Sequence, residues 1–491
     1  MVNTMNSQTI PNLLSKRVSL TPHRSAIQFE NRTYTFQEIY DLSFQMAGHL
    51  QGLGVRKGSY VSVLLKNHID TVVVLLSLQL LGGIAVILNN RLTAEELVFQ
   101  IDDSKSMLLI TEDSFLEKVE ELNALVPIVS KESIRESPYD MPLLVKEIAL
   151  DDVCTVMYTS GTTGNPKGVL QTYGNHWWSA TGSALNLGIL EEDCWLCVVP
   201  MFHISGYSIL MKSIIYGMRM ILQQSFDASE TIKVIKEEKV TIMSVVTTML
   251  SRVIEELGED RLSPAFRCML SGGGPVPLPL LEKCVEKNVP VYQTYGMTET
   301  SSQIVTLSPE YSIKKLGSAG KPLFPSQLKI VDTLGNEAGS LESGEIVVKG
   351  PNVTPGYLNR DEVMSDGWLN TGDIGYVDED GFLYVQDRRS DLIISGGENI
   401  YPAEIEGVLT SHPDILDAGV IGVEHNEWGQ VPAAFVVSKE SLLEKEISEF
   451  CAKKLAKYKL PKKFYFIEEI PRNASRKLLR RELRKMYEEL R

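Results

Sequence analysis

The chain contains little cysteine and histidine, with six cysteines and seven histidines in 491 residues. A small disulfide-stapled scaffold is therefore excluded, because such proteins are short and rich in cysteine. Cys194 and Cys197 form a C-x-x-C pattern, but no second cysteine pair or histidine cluster accompanies them to complete a zinc site. We interpret both as small buried side chains on a strand, in a protein from a reducing compartment.

The sequence also lacks a long apolar run and a secretory leader. The uncharged stretch from Thr71 to Asn89 is interrupted by Ser77, Gln79 and a glycine pair. It predicts a buried helix followed by a strand rather than a membrane span. The opening residues, MVNTMNSQTIPNLLSKR, contain neither an apolar core nor a cleavage site. We therefore predict a cytoplasmic protein without membrane insertion.

Negative charge dominates the chain but is unevenly distributed. The formal net charge is −15, yet residues 453–491 sum to +9 and the remainder to −24. A basic tip on an acidic body suits a nucleic-acid arm, a membrane patch or a lid over an anionic ligand. The tip interleaves its charges with apolar side chains such as Leu455, Tyr458 and Phe464, which indicate a folded element. We therefore favour the lid and predict no nucleic-acid partner.

The pattern along the chain predicts an α/β fold. Hydrophobic residues make up 43% and charged residues 23%, which excludes disorder and collagen-like repeats. Up to about residue 350, short β-branched runs alternate with amphipathic stretches at 93–103, 228–239 and 277–288. After Gly317 short strands and turns predict a β region. From Ser390 onward an α+β piece follows, with helices at 402–411 and 442–457.

A loop rich in glycine and hydroxyl residues is the strongest local signal for function. It reads YTSGTTGNPKG from Tyr158 to Gly168 and follows the strand-like run CTVMY. Successive backbone N–H groups in such a loop converge on phosphate oxygens, and Lys167 can add a positive charge. The spacing is not that of a Walker A loop. By itself, the loop is equally compatible with a polar surface turn.

Further motifs carry groups suited to a nucleotide. In QTYGMTET (293–300), which follows a strand, Tyr295 could stack a purine, Thr298 could contact a phosphate and Glu299 could hold Mg²⁺. Asp373, at the end of WLNTGD, is suited to pairing two ribose hydroxyls. Lys477 lies in RNASRK within the basic tip.

These motifs, in this order, resemble the adenylate-forming superfamily of acyl-CoA synthetases, luciferases and peptide synthetase adenylation domains. The resemblance covers about residues 30 to 485. It implies a large N-terminal domain (1–387) with two sheet-based lobes and a β subdomain, a hinge (388–390), and a small mobile α+β C-terminal domain (391–491). It also implies that a carboxylic acid and ATP form an acyl-adenylate and pyrophosphate, after which a thiol takes the acyl group.

The resemblance assigns roles residue by residue. The residues that would bind ATP are Thr159, Ser160, Gly161, Thr162, Thr163, Gly164, Lys167, Gly272, Gly273, Gly274, Pro275, Tyr295, Gly296, Thr298, Asp373, Arg388 and Lys477. The catalytic group would be Lys477, His203, Thr298 and Glu299, with Glu299 also the Mg²⁺ ligand. Lys477 would stabilise the charge that develops at the α-phosphate. The family commonly has glycine just before this lysine, where this chain has Arg476, so the geometry of that loop is an open question.

The second half-reaction would use the C-terminal domain in a different position. Ser390 matches the hinge of the family, and Gly396 and Gly397 would approach the thiol tunnel. The lysines Lys457 and Lys459 would be available to the phosphates of coenzyme A. Taken alone, the glycine pair indicates only a turn.

The acid is indicated by three stretches, at 202–218, 270–284 and 295–323, which resemble the o-succinylbenzoate–CoA ligases of menaquinone biosynthesis. The acyl pocket would contain His203, Ser205, Lys212, Gly273, Gly274 and Ser302. The second carboxylate of that acid needs a cation or several donors, for which Lys212, Ser302 and Gln303 are candidates. The segment Phe226–Ser229 is similar to the amino-binding motif of peptide synthetases but lies too late in the chain, so we interpret Asp227 or Ser229 as a helix cap.

Several alternatives remain open at this stage. The chain could activate another aryl or medium-chain acid, bind an acyl-adenylate without turnover, or load a carrier protein. Against the last two, Lys477, Glu299 and Asp373 are all present, and no carrier domain follows within the sequence. The expected co-substrates are ATP, Mg²⁺ and coenzyme A, and a homo-oligomer is left open.

Overall fold

The computed structural model describes residues 8–120, 125–159, 166–332, 334–360, 364–388, 392–439, 442–472 and 478–490. Its helices, in chain order, are α1 (Leu13–Leu20), α2 (Phe36–Gly52), α3 (Ile69–Leu81), α4 (Ala94–Ser104), α5 (Leu116–Val119), α6 (Tyr173–Leu187), α7 (Ile204–Tyr216), α8 (Ala228–Glu237), α9 (Thr247–Glu256), α10 (Leu278–Glu286), α11 (Pro402–Thr410), α12 (Glu444–Lys454) and α13 (Arg480–Glu489).

The strands fall into two groups along the chain. Those before residue 310 are β1 (Thr9–Pro11), β2 (Ser25–Phe29), β3 (Arg32–Thr35), β4 (Tyr60–Val63), β5 (Ile84–Ile87), β6 (Leu108–Thr111), β7 (Ile128–Ser130), β8 (Glu147–Ala149), β9 (Val153–Thr159), β10 (Lys167–Thr172), β11 (Cys194–Cys197), β12 (Arg219–Leu222), β13 (Ile242–Val246), β14 (Cys268–Gly272), β15 (Val291–Met297) and β16 (Ser302–Leu307). Those after it are β17 (Lys321–Pro322), β18 (Gln327–Val331), β19 (Gly344–Lys349), β20 (Met364–Ser365), β21 (Trp368–Val377), β22 (Leu383–Arg388), β23 (Ile393–Ser395), β24 (Glu398–Ile400), β25 (Ile415–His425), β26 (Gly429–Ser438) and β27 (Lys463–Phe466).

Two large sheets form the N-terminal part of the fold. One has the order β10-β9-β5-β4-β6-β7, and the other has the order β17-β16-β15-β14-β13-β11-β12-β2-β3. Their central strands are parallel, and the antiparallel pairs lie at the edges. One hydrophobic cluster contains side chains of both sheets and of α2, α3 and α7. Helix α3 is buried almost all round, as expected for a helix with apolar residues on every face.

Two helices of this part start in the same way. Thr35 caps α2 and Thr93 caps α4, each accepting a hydrogen bond from the backbone of the glutamate three residues on. Those glutamates, Glu38 and Glu96, accept in return from the backbone N–H of the threonine. This capping box satisfies two helix-end donors and explains why both helices begin where the sequence places a threonine.

The remaining strands form three small sheets, one of which is the antiparallel pair of β1 and β8. Strands β18 to β22 make an antiparallel sheet, and β23 to β27 make the sheet of the C-terminal domain, against which α11, α12 and α13 pack. The β region expected after Gly317 and the α+β piece expected at the C-terminus are thus confirmed. None of the described helices combines the length and apolar character that crossing a membrane requires.

Several local predictions can be compared directly with the structure. The stretch from Thr71 forms α3 and β5, Cys194 and Cys197 are buried on β11, and Asp227 rather than Ser229 caps α8. The helix predicted at 442–457 is shorter, because Leu455 adopts an extended conformation that ends α12 at Lys454. A separate 3₁₀ turn, Lys457–Lys459, follows.

Candidate active site

The ends of several strands converge on a narrow cavity. Strands β9 and β10 contribute Thr159 and Lys167, which pair with each other in register. The turn after β15 contributes Thr298 and Glu299, and β21 contributes Asp373. The C-terminal domain closes the cavity with Leu392, Asn399 and Tyr401. The structure therefore brings together residues that the sequence assigned to phosphate, metal and ribose.

The Thr298–Glu299 turn is held firmly in place. The Gln171 side-chain amide donates to the carbonyl of Thr298 (2.9 Å), and the backbone N–H of Thr354 donates to the carbonyl of Glu299 (2.7 Å). The Tyr357 hydroxyl donates to Glu299 Oε1 (2.8 Å), and Lys167 Nζ lies 5.2 Å from the centre of the Tyr357 ring. A carboxylate beside a lysine and threonine hydroxyls suits a phosphate with its cation.

The donor set fits a magnesium ion only together with a nucleotide. Glu299 and Thr298 offer the oxygen ligands that Mg²⁺ prefers, but no cluster of three acidic, histidine or cysteine side chains exists among the described residues to hold a metal by itself. Mg²⁺ commonly takes one or two carboxylates and completes its octahedron with phosphate oxygens and water. Glu299 is therefore suited to a metal that arrives with ATP.

The Tyr295 side chain is not oriented to stack on a purine, which is the role that the sequence suggested. Its ring is 2% exposed within a hydrophobic cluster, and its hydroxyl donates to Asp373 Oδ2 (2.8 Å). In this structure, Tyr295 positions the Asp373 carboxylate and presents no open face to a purine. Its burial depends on packing against β16 and β19, which a local motif does not reveal.

The glycine loop after β14 is spacious on one side. Gly273 has a φ of +87°, and a Cβ on Gly274 would meet nothing within 4 Å, whereas one on Gly272 would contact Thr294 Oγ1 at 3.3 Å. Pro275 is exposed at the end of the loop, and Gly296 lines the cavity beside Thr298. The open space is consistent with the adenine and acyl roles predicted for this loop, which stay predictions.

Part of the predicted site lies outside the described residues. This applies to Ser160, Gly161, Thr162, Thr163, Gly164, Ser390, Arg476 and Lys477. The strands β9 and β10 that flank the phosphate loop are described, and so is the backbone of Arg388, which pairs with Asp373. The topology thus supports the loop and ribose assignments without placing these side chains.

A buried lysine lies behind the predicted acyl pocket. Lys212, on α7, is 1% exposed, and its Nζ donates to Ser208 Oγ (3.3 Å), which in turn donates to Ser302 Oγ (3.3 Å). The ammonium also lies 5.3 Å from the centre of the Trp195 ring. Among the described residues, no carboxylate lies within 4 Å of this lysine. The sequence placed Lys212 and Ser302 in one pocket, and the structure brings them together.

Burial shapes the protonation of this region. It lowers the pKa of Lys212 to about 7, because no anion compensates for the lost hydration. It also lowers the pKa of His176 to about 3, helped by the charge of Lys212, so the imidazole is neutral. Buried polar atoms nearby lack a partner, namely His176 Nδ1, Ser301 Oγ and Gln303 Oε1. An unpaired buried cation among unsatisfied polar atoms is a place for a ligand anion.

The backbone is strained next to the buried cluster of Lys212, Ser208 and Ser302. Ser301 and Ser302 both have positive φ values, +54° and +111°, at the start of β16. Non-glycine residues rarely adopt such a conformation, and it persists where surrounding contacts fix it, as at ligand sites. Asn352 and Ser179 hold this corner through hydrogen bonds to the carbonyls of Thr300 and Ser301. Ser205 differs, because its side chain is exposed at the start of α7.

A larger cavity of about 750 Å³ lies between the two domains. It is bordered by five cations, namely Lys66, Arg91, Arg252, Lys457 and Lys462. Phe202, Met249 and Trp428 provide apolar surface in the same cavity. An elongated ligand with several phosphates and an apolar arm matches this lining. The sequence analysis identified Lys457 but missed Lys462 and Arg252, although the basic character of residues 453–491 pointed to this region.

The glycine pair forms the tip of a hairpin that reaches this cavity. Gly396 and Gly397 connect β23 to β24 with φ values of +57° and +89°, which a two-residue turn with both central residues left-handed requires. A Cβ on Gly397 would lie 3.2 Å from Val246 Cγ1, so the hairpin packs closely on the N-terminal domain. Gly396 donates its N–H to the carbonyl of Trp428 (2.8 Å).

Glu398, which follows the glycines, joins His203 of the predicted acyl pocket to the hairpin. Its Oε2 lies 3.1 Å from His203 Nε2, an ionic contact without hydrogen-bond alignment, and its Oε1 pairs with Arg91. Burial by itself would raise the pKa of Glu398, but the His203 and Arg91 charges outweigh it and hold the pKa below its usual value. Sequence reasoning placed Glu398 in the glycine loop that would approach the thiol but did not predict its partners, because they come from the other domain.

Lys459 is not available to phosphates in this structure. Its Nζ lies 2.5 Å from Glu96 Oε1 and 2.7 Å from Glu404 Oε1, and its side chain is 5% exposed. Burial by itself would lower the pKa of Lys459, but these carboxylates raise it. The structure thus separates the two lysines predicted for coenzyme A, since Lys457 borders the large cavity and Lys459 is paired elsewhere.

Comparison with known families agrees with this geometry. The family of AMP-binding enzymes matches residues 14–358, and the AMP-binding enzyme C-terminal domain matches residues 404–477. The chain belongs to the AMP-binding enzymes. The resemblance noted from the sequence motifs is therefore confirmed, together with the predicted division into a large N-terminal and a small C-terminal domain.

Individual AMP-binding enzymes are similar over nearly the whole chain. A curated 2-succinylbenzoate–CoA ligase from Bacillus cereus is 53% identical over 487 residues, which cover 98% of this chain and 100% of the relative. A solved double mutant of o-succinylbenzoate CoA synthetase from Bacillus subtilis, bound with its product analogue OSB-NCoA, is 49% identical with a TM-score of 0.94. It covers 97% of this chain and 98% of that chain.

The same Bacillus subtilis enzyme in complex with the acyl-adenylate intermediate OSB-AMP gives a TM-score of only 0.77. Identity and coverage are the same in both comparisons, at 49%, 97% and 98%. The two solved structures of that enzyme therefore differ in conformation, and the conformation of this chain is closer to the first. The overall arrangement of this AMP-binding enzyme is therefore more similar to that of the product-analogue complex than to that of the acyl-adenylate complex.

Proposed function

We propose that the chain is an AMP-forming 2-succinylbenzoate–CoA ligase of menaquinone biosynthesis. The observation that carries the proposal is 53% identity to the curated ligase over nearly the full length of both chains. In the first step, a carboxylate oxygen of the acid attacks the α-phosphorus of ATP, which releases pyrophosphate and leaves an acyl-adenylate. In the second, the sulfur of coenzyme A attacks the acyl carbon, which releases AMP and a proton.

The narrow cavity is suited to the adenylation step. The loop from Thr159 to Lys167 would hold the β- and γ-phosphates, Glu299 and Thr298 the magnesium ion, and Asp373 with Arg388 the ribose. Mg²⁺ would neutralise phosphate charge and orient the leaving pyrophosphate. Lys477 would stabilise the pentacovalent phosphorus electrostatically, and Asp373 is already fixed for its role by Tyr295.

Lys212 explains how a dicarboxylic acid is selected. One carboxylate of 2-succinylbenzoate would react, and the other would approach the Lys212 cluster while it keeps its negative charge. The unpaired ammonium of Lys212, with Ser208 and Ser302, offers that carboxylate a cation and hydroxyl donors. An acid without the second carboxylate leaves these polar groups unpaired, which disfavours simple aryl or medium-chain acids.

The large cavity is suited to coenzyme A. Its apolar lining at Phe202, Met249 and Trp428 would contact the pantetheine arm, and Lys457, Lys462 and Arg252 would pair with the phosphates. The Gly396-Gly397 hairpin and Glu398 close one side of the cavity. The thiol would then reach the acyl group past His203, which lies at the start of α7.

The domain boundaries and the location of the protein belong to the same proposal. We place the N-terminal domain at residues 1–387, the hinge at 388–390 and the C-terminal domain at 391–491, since β22 and β23 belong to different sheets. A cytoplasmic location is supported by the supply of ATP and coenzyme A there. It is also supported by six cysteines that are free and buried.

The experiment that tests the proposal is AMP release with ATP, Mg²⁺, coenzyme A and a panel of acids. The panel contains 2-succinylbenzoate, benzoate, 4-oxo-4-phenylbutanoate (the same acid without the ring carboxylate) and octanoate. We expect AMP release with 2-succinylbenzoate at a catalytic efficiency at least about a hundredfold above the others, as expected when a buried polar site loses its partner. Equal rates with benzoate or octanoate would favour another acyl-CoA ligase, and no AMP with any acid would contradict the enzyme assignment.

A further inference from the structure

A buried ion cluster joins the two domains, and none of its three side chains lines either cavity of the described residues. Lys459, on the 3₁₀ turn of the C-terminal domain, contacts Glu96 on α4 of the N-terminal domain and Glu404 on α11 of its own domain. All three side chains are 10% exposed or less. Buried ion pairs are much more sensitive to the loss of a partner than exposed ones, because the remaining charge is left unpaired.

The cluster sits on an apolar contact between the same segments. Ala456 is 1% exposed and belongs to a hydrophobic cluster with Leu97 and Ile101 of α4 and Leu92 before it. Tyr458 packs against this cluster and also against the core of the C-terminal domain. The segment around Lys459 is therefore inserted into the N-terminal lobe in this domain arrangement.

Glu96 does two things at once. Its Oε2 accepts a hydrogen bond from the backbone N–H of Thr93 and completes the capping box of α4. Its Oε1 accepts a hydrogen bond from Lys459 Nζ. The capping box of α2 has the same form at Thr35 and Glu38, but within the described part of the chain Glu38 pairs only with residues of the N-terminal domain. The charge of Glu96 is thus separable from its capping role, since glutamine also completes a capping box.

We propose that the Glu96–Lys459 pair is a latch that holds the C-terminal domain in the thioester-forming position. The inference rests on the proposed two-step reaction. This arrangement matches the complex with the product analogue far better than the complex with the acyl-adenylate, with TM-scores of 0.94 and 0.77. Glu96 and Lys459 act on the position of the domain and do not touch the reacting atoms, so they are positioning residues.

The arrangement of charges around Lys459 allows its contact with Glu96 to break without leaving the ammonium unpaired. Two carboxylates share one ammonium, and Glu404 Oε2 is buried without a hydrogen-bond partner. Burial, together with the neighbouring Glu96, raises the pKa of Glu404 even though Lys459 opposes the shift. When the domain swings away, Glu404 can keep Lys459 while Glu96 returns to water. Of the two ion pairs that Lys459 makes, only the one with Glu96 crosses the interface.

The experiment compares Glu96→Gln with Glu38→Gln, its matched capping-box control. Adenylation is followed by acid-dependent ATP–pyrophosphate exchange, and transfer by mixing preformed acyl-adenylate enzyme with coenzyme A. We expect Glu96→Gln to keep exchange within about twofold of the parent and to slow transfer by about tenfold or more, the equivalent of one lost favourable contact of this kind. Glu38→Gln should leave both rates unchanged.

Two further variants, at Lys459, distinguish the loss of this contact from a folding defect. Lys459→Met removes the same contact from the other side and should reproduce the split, whereas Lys459→Arg, which keeps the charge, should recover most of the transfer rate. Equal losses of exchange and transfer in Glu96→Gln and Lys459→Met would show a structural role and overturn the latch. An unchanged transfer rate would also overturn it. Absence of exchange in the parent enzyme would instead contradict the proposed function.

Discussion

The protonation of Lys212 is the residue-scale property that most directly connects burial to substrate choice. Burial lowers its pKa to about 7, so the ammonium is present below that pH and is lost as the pH rises through it. A ligand carboxylate binds the charged form, and binding above pH 7 therefore requires proton uptake. We expect kcat/KM for 2-succinylbenzoate to fall by up to about tenfold per pH unit above pH 7, following this linkage.

Lys212→Met provides the comparison for this pH dependence. The variant removes the cation but keeps an unbranched side chain of similar length, so packing changes little. We expect kcat/KM for the dicarboxylic acid to fall by about tenfold to a hundredfold, as for a lost hydrogen bond to a charged group. Its pH profile around 7 should become flat, and efficiency with 4-oxo-4-phenylbutanoate should hardly change. A profile that keeps the parent's slope would remove Lys212 from substrate binding.

Lys477 carries a prediction that concerns one half-reaction only. Its proposed task is to stabilise charge at the α-phosphorus, which is needed for adenylation and not for thiol attack. Lys477→Ala should reduce adenylate formation by at least about a hundredfold, the range seen when one charge-stabilising donor is removed. Transfer from supplied acyl-adenylate to coenzyme A should persist. Rapid-quench measurement of both steps checks this, and equal losses would count against the role.

At the scale of elements, the hairpin between β23 and β24 determines how closely the domains meet. Gly397→Ala places a Cβ 3.2 Å from Val246 Cγ1 and strains a residue with a φ of +89°. Val246 belongs to the N-terminal domain, so this close contact is made across the interface of the present arrangement, and we expect transfer to slow severalfold while adenylation is spared. Gly381→Ala is the matched control, with a φ of +79° and no atom within 4 Å of its Cβ. The rates of both half-reactions are measured for each variant. Equal effects of the two substitutions on these rates would contradict this account.

The elements that sequence predicted well are those specified by their own residues. The stretch predicted at 93–103 forms α4 and the one from Thr71 forms α3, because the capping box at Thr93 and the apolar residues of α3 determine local structure directly. The helix predicted at 442–457 was too long, because Ala456 and Tyr458 owe their burial to α4 of the other domain and not to a helical face. Hydrophobic periodicity cannot distinguish those two sources of burial.

The same limit applies to the site. The motifs identified Thr298, Glu299 and Asp373, which the structure places around one cavity, and the predictions of family and reaction are confirmed by the relatives. The partners that cross between distant segments were not predictable. Tyr295 turned out to hold Asp373, Glu398 to contact His203, and Lys459 to pair with Glu96. Each of these contacts depends on tertiary placement that no local spacing encodes.

At the scale of the whole molecule, the uneven charge gains a physical meaning. The acidic body supplies Glu96 to the contact with the basic tip and Glu299 to the cavity proposed to bind MgATP. The tip supplies Lys457 and Lys462 to the cavity between the domains and Lys459 to their contact. A net charge of −15 describes neither part, because the two signs act at different places.

The central claim is that one chain makes the adenylate of 2-succinylbenzoate and passes its acyl group to coenzyme A. The most direct measurement incubates the enzyme with MgATP and this acid without coenzyme A, identifies the bound species by mass spectrometry, and then adds coenzyme A. We predict that 2-succinylbenzoyl-AMP accumulates to about one equivalent per enzyme and converts to 2-succinylbenzoyl-CoA with release of AMP, as expected for an intermediate retained between two steps. Failure to form this adenylate, or its persistence after coenzyme A is added, would contradict the account.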